Sequence, residues 1–211
     1  MMNNLDQWKQ ALTELPLIAI LRGVQPQQCL DVADVLFDEG FRILEVPLNS
    51  PQPFDSISQI TKAFPDQFTG AGTVTTLSGV EGCVSTGCRL IVTPNFNPAI
   101  AARVFDTGMI YCPGVATPSE AFAALEAGAH GLKLFPAELV GANVVKAIRA
   151  VLPPETSLIP VGGINPSNMA EFVAAGANGF GIGSALYKPG KSLDDIRMSA
   201  RDFVSAWRDI G

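Results

Sequence analysis

Eight short apolar runs recur along the chain, and this repetition limits the possible folds more than any other feature. Successive runs begin roughly 20 to 27 residues apart. Each run is long enough for a β-strand and too short for an α-helix, and amphipathic helical patterns fill the segments between them. The runs occupy residues 17–22, 43–48, 68–74, 90–95, 109–115, 131–136, 158–164 and 179–187. This alternation predicts a parallel sheet with helical crossovers.

Eight strand–helix units favour a closed barrel over an open sheet. A doubly wound open sheet usually carries a glycine-rich fingerprint after its first strand. Here the first run is followed by Arg22-Gly23-Val24-Gln25-Pro26, which is not that fingerprint. We therefore predict the α/β class, with a single (β/α)8 TIM barrel as one domain over residues 1–211. Residues 1–16 are predicted to form an N-terminal helix capping the barrel bottom, and residues 193–210 the last helix.

Composition and charge exclude several classes of protein. Apolar residues make up 47% and charged residues 16% of the chain, a balance incompatible with intrinsic disorder. No apolar run approaches the ~20 residues that a membrane-spanning helix needs. The net charge is -6, whereas nucleic-acid-binding proteins carry basic surfaces. We therefore expect neither a membrane nor a nucleic acid as a partner.

Cysteine usage and the N-terminus bear on the cellular compartment. Four cysteines at irregular spacing do not form a disulfide scaffold, and we expect buried free thiols. The first residues lack the basic segment and apolar stretch of a signal peptide. The cytoplasm is therefore the expected compartment.

Lys133 is the one lysine that lies inside an apolar run, residues 131–136. In a strand it points away from the face that carries Leu132 and Leu134. Those leucines suit the side that faces the helices, so Lys133 is predicted to point into the barrel. A desolvated ammonium loses its proton more readily and becomes the nucleophilic amine that Schiff-base chemistry requires. The alternatives are a lysine that extends to solvent at the strand end or pairs with a carboxylate.

Glu45 is a second isolated charge in an apolar run, residues 43–48. A buried carboxylate is costly unless it has a partner or a function. Two roles fit it equally well. One is a purely structural ion pair with Lys133, and the other is proton transfer beside that lysine, because burial makes a carboxylate a competent general base.

Arg22 and Thr73 stand at the ends of the first and third runs, where a barrel places its active site. An arginine grips a carboxylate through two parallel hydrogen bonds, and a threonine hydroxyl can add a third. The alternative role of Thr73 is to cap the helix after it.

Glycine-rich turns follow the last two predicted strands. Barrels often bind phosphate at this position through backbone N–H groups, which glycine allows to approach closely. The candidate phosphate-binding residues are Gly162, Gly163, Gly183 and Ser184. The alternative is that tight turns simply need glycine.

Metal binding is not predicted. The single histidine, His130, precedes the sixth run at the opposite end of the barrel. Metal-dependent barrel enzymes use several histidine and carboxylate ligands together.

Six motifs resemble those of the keto-deoxy-phosphogluconate/phosphogalactonate class I aldolases, in family order. They are EVPLNS (45–50), GAGTV (70–74), VTPN (92–95), CPGVATPSE (112–120), LKLFPAE (132–138) and VGGI (161–164). The resemblance implies a (β/α)8 barrel, with Lys133 as the Schiff-base lysine and Glu45 as the general acid/base. It further implies that Arg22 and Thr73 hold the substrate, including the pyruvate carboxylate, and that the four glycine-turn residues hold its 6-phosphate. A homotrimer without a metal or organic cofactor is also implied.

Two motifs bear on which C4 epimer is the substrate. The gluconate-type enzymes resemble E-V-T-L-R-T at the second strand and P-T-G-G at the seventh. This chain has Pro47, Asn49 and Val161 instead, and these departures resemble the galactonate type. The loss of the arginine at Asn49 leaves Arg22 as the expected carboxylate grip. The alternatives are a gluconate-specific or dual-specificity aldolase, a phosphosugar isomerase or epimerase, and a non-catalytic phosphate-binding barrel.

Overall fold

The computed structural model describes residues 3–210. Met1, Met2 and Gly211 lie outside the described residues. All three belong to the predicted domain, and Met1 and Met2 also belong to the predicted capping segment. The strands are β1 (Leu17–Ile20), β2 (Ile43–Pro47), β3 (Phe68–Gly72), β4 (Leu90–Val92), β5 (Ile110–Cys112), β6 (Gly114–Val115), β7 (Leu132–Leu134), β8 (Leu158–Pro160) and β9 (Phe180–Ile182). The helices are α1 (Asn4–Glu14), α2 (Cys29–Asp38), α3 (Pro53–Ala63), α4 (Leu77–Val84), α5 (Pro98–Asp106), α6 (Pro118–Glu126), α7 (Ala137–Arg149), α8 (Met169–Ala174) and α9 (Leu193–Ile210).

The strands form two parallel sheets. Their orders are β5-β4-β3-β2-β1-β9 and β6-β7-β8. In the larger sheet, Glu45 of β2 is in register with Ile20 of β1 and Gly70 of β3. The predicted α/β fold, with parallel strands and helical crossovers, is confirmed.

The fifth predicted run, residues 109–115, forms two strands rather than one. Pro113 has no N–H to donate and separates β5 from β6. Its carbonyl still accepts a hydrogen bond from Lys133 N, at 2.9 Å. At the other side, an isolated parallel bridge between Val161 and Gly181 connects the end of β8 to β9. Eight predicted runs thus yield nine strands, and the two sheets adjoin at both sides.

Alternation along the strands divides the core into an outer layer against the helices and an inner cluster. The outer layer includes Leu44 and Leu134, which flank inner positions on β2 and β7. The inner cluster consists of Trp8, Ala11, Ile18, Ile20, Ile43, Phe68, Leu90, Val92, Ile110, Cys112, Ile159 and Val161. Because side chains alternate with a period of two, Glu45 and Lys133 fall on the inner face.

The two terminal helices pack through apolar residues at helical spacing. In α1, the Asn3 side chain accepts a hydrogen bond from Asp6 N and so caps the helix start. Trp8 is buried, with its ring 5.7 Å from that of Phe68, the first residue of β3. In α9, which has the predicted bounds, the buried face consists of Ile196, Ala200, Phe203 and Val204. No helix within residues 3–210 is long and apolar enough to cross a membrane.

Candidate active site

Lys133 is buried in the middle of β7. Its neighbours Leu132 and Leu134 are fully buried in the outer layer, and Lys133 is only 4% exposed. The alternative of a lysine extending to solvent is therefore wrong. Its Nζ lies 4.8 Å from the centroid of the Phe135 ring, two residues along the same inner face.

Glu45 lies on the same inner face and is 1% exposed. Neither of its carboxylate oxygens has a hydrogen-bond partner among residues 3–210. Burial raises the pKa of Glu45, and the positive charges of Lys133 and Arg22 oppose the rise only partly. The ion pairs within 4.0 Å in this part of the chain do not include Glu45 or Lys133. The structure therefore lacks the direct ion pair that the purely structural alternative requires.

Cys112 of β5 is the third reactive group on the inner face. It lines a small internal void of about 10 Å³ together with Glu45 and Lys133. Burial and the nearby Glu45 raise the pKa of Cys112 to about 12, although Lys133 opposes this. The thiol therefore stays protonated at neutral pH and does not compete with the lysine amine as a nucleophile.

A cavity of about 580 Å³ opens above this buried group of residues. Of the predicted site residues, it is lined by Arg22, Gly162, Gly163, Gly183 and Ser184. Lys133 and Glu45 do not line it. The cavity and the internal void share walls formed by Ile20, Val161 and Gly181. Seven of the predicted residues thus fall into two adjoining layers, an open cavity and a buried lysine–glutamate layer. Thr73 lines neither of them and is connected to the cavity through Arg22.

Arg22 joins three strand ends at one side of the cavity. Its Nη1 donates a hydrogen bond to Asn49 Oδ1 at 2.5 Å, and its Nη2 donates to Thr73 Oγ1 at 3.4 Å. Thr73 has a φ of 55°, which is rare for a β-branched residue and marks backbone strain. The cap of α4 is Thr76, whose side chain accepts from Gly79 N. The alternative role of Thr73 as a helix cap is therefore wrong.

Gly162 and Gly163 form the turn after β8. Their φ values are 112° and 66°, and a Cβ atom at either position would collide with the side chain of Glu138. The turn therefore requires glycine at both positions, as the alternative explanation of these residues predicts. The same two residues nevertheless line the cavity, so the two explanations apply together.

Two charged cavity residues, Glu138 and Lys188, were not predicted. Glu138 follows the lysine strand at the start of α7, and Lys188 follows the buried Tyr187. The sequence signal for Lys133 and Glu45 was an isolated charge inside an apolar run. Glu138 and Lys188 lie outside such runs and therefore carried no such signal.

His130 has a structural contact. Its Nδ1 accepts a hydrogen bond from Tyr111 N at 3.0 Å. Within residues 3–210, no group of three or more His, Cys, Asp or Glu side chains is arranged to hold a metal ion.

Comparison with known proteins places this arrangement in a family. The family model described as KDPG and KHG aldolase matches residues 8–198. The 2-dehydro-3-deoxy-6-phosphogalactonate aldolase of Escherichia coli (strain K12) is 45% identical over 204 residues, which covers 96% of this chain and 98% of that protein.

Two solved structures have the same fold. One, described as the native KDPGal structure, has a TM-score of 0.92 and 45% identity, covering 93% of this chain and 96% of that one. The other is KDPG aldolase from Legionella pneumophila with pyruvate captured as a covalent carbinolamine intermediate. It has a TM-score of 0.82 and 27% identity, covering 92% of this chain and 95% of that one. The chain therefore belongs to the KDPG and KHG aldolase family.

Proposed function

We propose that the chain is a class I aldolase that cleaves 2-dehydro-3-deoxy-6-phospho-D-galactonate to pyruvate and D-glyceraldehyde 3-phosphate. The observation that carries this proposal is that buried Lys133 and buried Glu45, whose carboxylate has no hydrogen-bond partner among the described residues, line the same internal void. An amine and a carboxylate so placed supply the nucleophile and the proton carrier of Schiff-base chemistry. The name of the Escherichia coli relative and the carbinolamine in the Legionella structure support the substrate and the covalent route.

The reaction begins with attack of the Lys133 Nζ lone pair on the C2 ketone. The N–C2 bond forms as the C2–O π bond breaks, and one proton moves from Nζ to the oxygen, which gives a carbinolamine. Glu45 donates the proton with which the C2 hydroxyl leaves as water, and a protonated imine remains. Burial raises the pKa of Glu45, so its carboxyl group holds a proton more readily than an exposed carboxylate does and suits proton transfer.

Cleavage then uses the imine as the electron sink. Glu45, or a water molecule that it orients, takes the proton of the C4 hydroxyl. The C3–C4 bond breaks, its electron pair forms the enamine, and C4 leaves as the aldehyde of glyceraldehyde 3-phosphate. Protonation of the enamine at C3 and hydrolysis of the imine release pyruvate and restore Lys133.

Substrate binding uses two groups of residues at the cavity. Arg22, supported by Thr73, binds the carboxylate at C1. Backbone N–H groups of Gly162, Gly163 and Gly183, with the Ser184 hydroxyl, bind the 6-phosphate. The chain carries a net charge of -6, so the attraction of an anionic substrate comes from these local groups.

Val161 and Asn49 underlie the proposed preference for the galactonate epimer. Val161 lines both the cavity and the internal void that Lys133 lines, and the gluconate-type motif carries a threonine hydroxyl at this position. A site that hydrogen-bonds a substrate hydroxyl discriminates strongly against substrates that lack one in that position. Asn49 holds Arg22 instead of supplying a second guanidinium to the carboxylate.

We also propose the architecture around this site. The chain, residues 1–211, acts as one domain in which both sheets form one closed (β/α)8 barrel, with β5 and β6 as one interrupted strand. The Val161–Gly181 bridge supports closure, and the contact of Trp8 with Phe68 supports α1 as a cap of the barrel bottom. The family resemblance supports a homotrimer. Four buried free cysteines fit the reducing cytoplasm.

The test is cleavage of the two C4-epimeric 6-phospho acids in separate assays, with pyruvate release coupled to NADH oxidation. We expect a clear preference for the galactonate epimer, and Lys133→Met as an inactive control. Val161→Thr should raise the rate on the gluconate epimer relative to the galactonate one. Equal or gluconate-favouring rates in the unaltered protein would overturn the epimer assignment, and no pyruvate from either would overturn the aldolase proposal.

A further inference from the structure

The cavity carries cations at two places. Arg22 lies at the end of β1, and Lys188 lies in the loop between β9 and α9. Glu138 is the acidic residue of the same lining. A phosphate that approaches the glycine turns therefore meets a carboxylate, and a nearby cation would offset the resulting repulsion.

The Lys188 ammonium is free to bind a ligand. Among residues 3–210 it has neither a side-chain hydrogen bond nor an ion pair. The neighbouring Lys191 is different, because its Nζ donates to Ala185 O, Leu186 O and Ser199 Oγ. Lys191 thus fixes the loop, whereas the charge of Lys188 is available to the cavity.

Backbone contacts hold Lys188 close to the predicted phosphate turn. Both Leu186 N and Tyr187 N donate to Gly183 O, at 2.9 and 3.0 Å. On the other side of Lys188, Pro189 packs so closely on Gly23 that a Cβ atom there would lie 2.8 Å from Pro189 Cγ. The loop is therefore tied both to the turn after β9 and to the residue after Arg22.

We propose that Lys188 is a further substrate-binding residue, whose ammonium binds the phosphate dianion and makes the enzyme selective for phosphorylated over unphosphorylated substrates. The inference rests on the proposed function and assigns a side-chain cation to a phosphate site otherwise formed by backbone amides and Ser184. A lysine suits this role because it acts as a compact point charge with three rotatable donors. A charge-assisted hydrogen bond to phosphate is also stronger than a neutral one.

The test compares aldol condensation of pyruvate with D-glyceraldehyde 3-phosphate and with D-glyceraldehyde. Lys188→Met should raise the KM for the phosphorylated aldehyde about tenfold and leave the KM for D-glyceraldehyde unchanged. Lys188→Arg should keep most of the selectivity. Lys62→Met, at the end of α3 and exposed, is the matched control and should behave as the unaltered protein.

Equal effects of Lys188→Met on both aldehydes, or no effect on either, would overturn the role of Lys188. Borohydride trapping with pyruvate on the same preparations separates this outcome from failure of the proposed function. If the unaltered protein traps pyruvate while Lys188→Met retains full selectivity, only the Lys188 inference is wrong. If the unaltered protein traps none, the Schiff-base proposal itself fails.

Discussion

Arg22 Nη1 donates a 2.5 Å hydrogen bond to Asn49 Oδ1, so the segment after β1 is held by the loop after β2. Asn49 thereby acts as a positioning residue for the proposed carboxylate grip. We expect Asn49→Ala to raise the KM for pyruvate in condensation about fivefold, a loss of about 1 kcal/mol, because Arg22 becomes free to rotate. The maximal rate should change little. An unchanged KM would show that Asn49 does not orient Arg22.

Thr73 combines a strained backbone with a contact to Arg22, so stability and activity should respond in opposite directions to its replacement. Thr73→Gly removes the strain of a β-branched residue at φ 55°, and the greater freedom of glycine in the unfolded chain offsets part of the gain. We expect about 1 kcal/mol of added stability in urea unfolding and a several-fold lower kcat/KM.

Gln52→Gly is the matched control for this experiment. Gln52 also has a positive φ, of 42°, but lies at the start of α3. It should gain stability without losing activity. A loss of stability in Thr73→Gly would contradict the strain argument.

The buried carboxyl of Glu45 should make folding stability depend on pH. Its pKa is raised on folding from the ordinary value of 4.5. Between pH 4.5 and the folded-state pKa, the folded state therefore retains a proton that the unfolded state has lost. The free energy of unfolding should therefore fall as pH rises through the folded-state pKa. In Glu45→Gln this decrease should be absent, and the variant should gain stability relative to the unaltered protein at high pH. Urea unfolding of both proteins across a pH series measures the difference.

Activity supplies the second readout for Glu45. Glu45→Gln should lower kcat by about 10²–10⁴-fold, because the amide cannot transfer protons. Near-normal turnover would contradict the proton-transfer role even if the stability profile changed as expected.

Gly162 should be intolerant of a side chain for two separable reasons. Gly162→Ala places a Cβ at φ 112° and against Glu138, so we expect about 1–3 kcal/mol of destabilisation and a raised KM for the phosphorylated substrate. Gly40→Ala is the matched control, because Gly40 has a φ of 102° and no atom near the added Cβ. Gly40→Ala should lose stability through the positive φ alone, and so no more than Gly162→Ala, and should keep its KM. An equal KM effect in both variants would contradict a local role of Gly162 in phosphate binding.

The two-residue period of a strand and the single charge in each apolar run were sufficient to place Lys133 and Glu45 on the inner face. A strand has only two faces, and the neighbouring leucines occupy the other one. The helix cap at Thr117 was equally predictable, and its side chain forms a complete capping box with Glu120. These features depend on neighbouring residues alone.

Other features depend on contacts between distant residues and could not be predicted in this way. Asn165 precedes Pro166, a pattern typical of a helix start, but its side chain caps a turn and α8 begins only at Met169. The left-handed backbone of Thr73 carries no sequence signal, since threonine rarely adopts it. The cavity positions of Glu138 and Lys188 depend on how α7 and the loop after β9 meet in the folded chain.

The most direct test of the account is reduction with borohydride in the presence of pyruvate, followed by peptide mass mapping. We predict a stable reduced pyruvyl adduct on the peptide that contains Lys133, dependent on pyruvate and absent in Lys133→Met. An adduct on another lysine, or cleavage by Lys133→Met at a near-normal rate, would contradict the central claim that Lys133 forms the Schiff base.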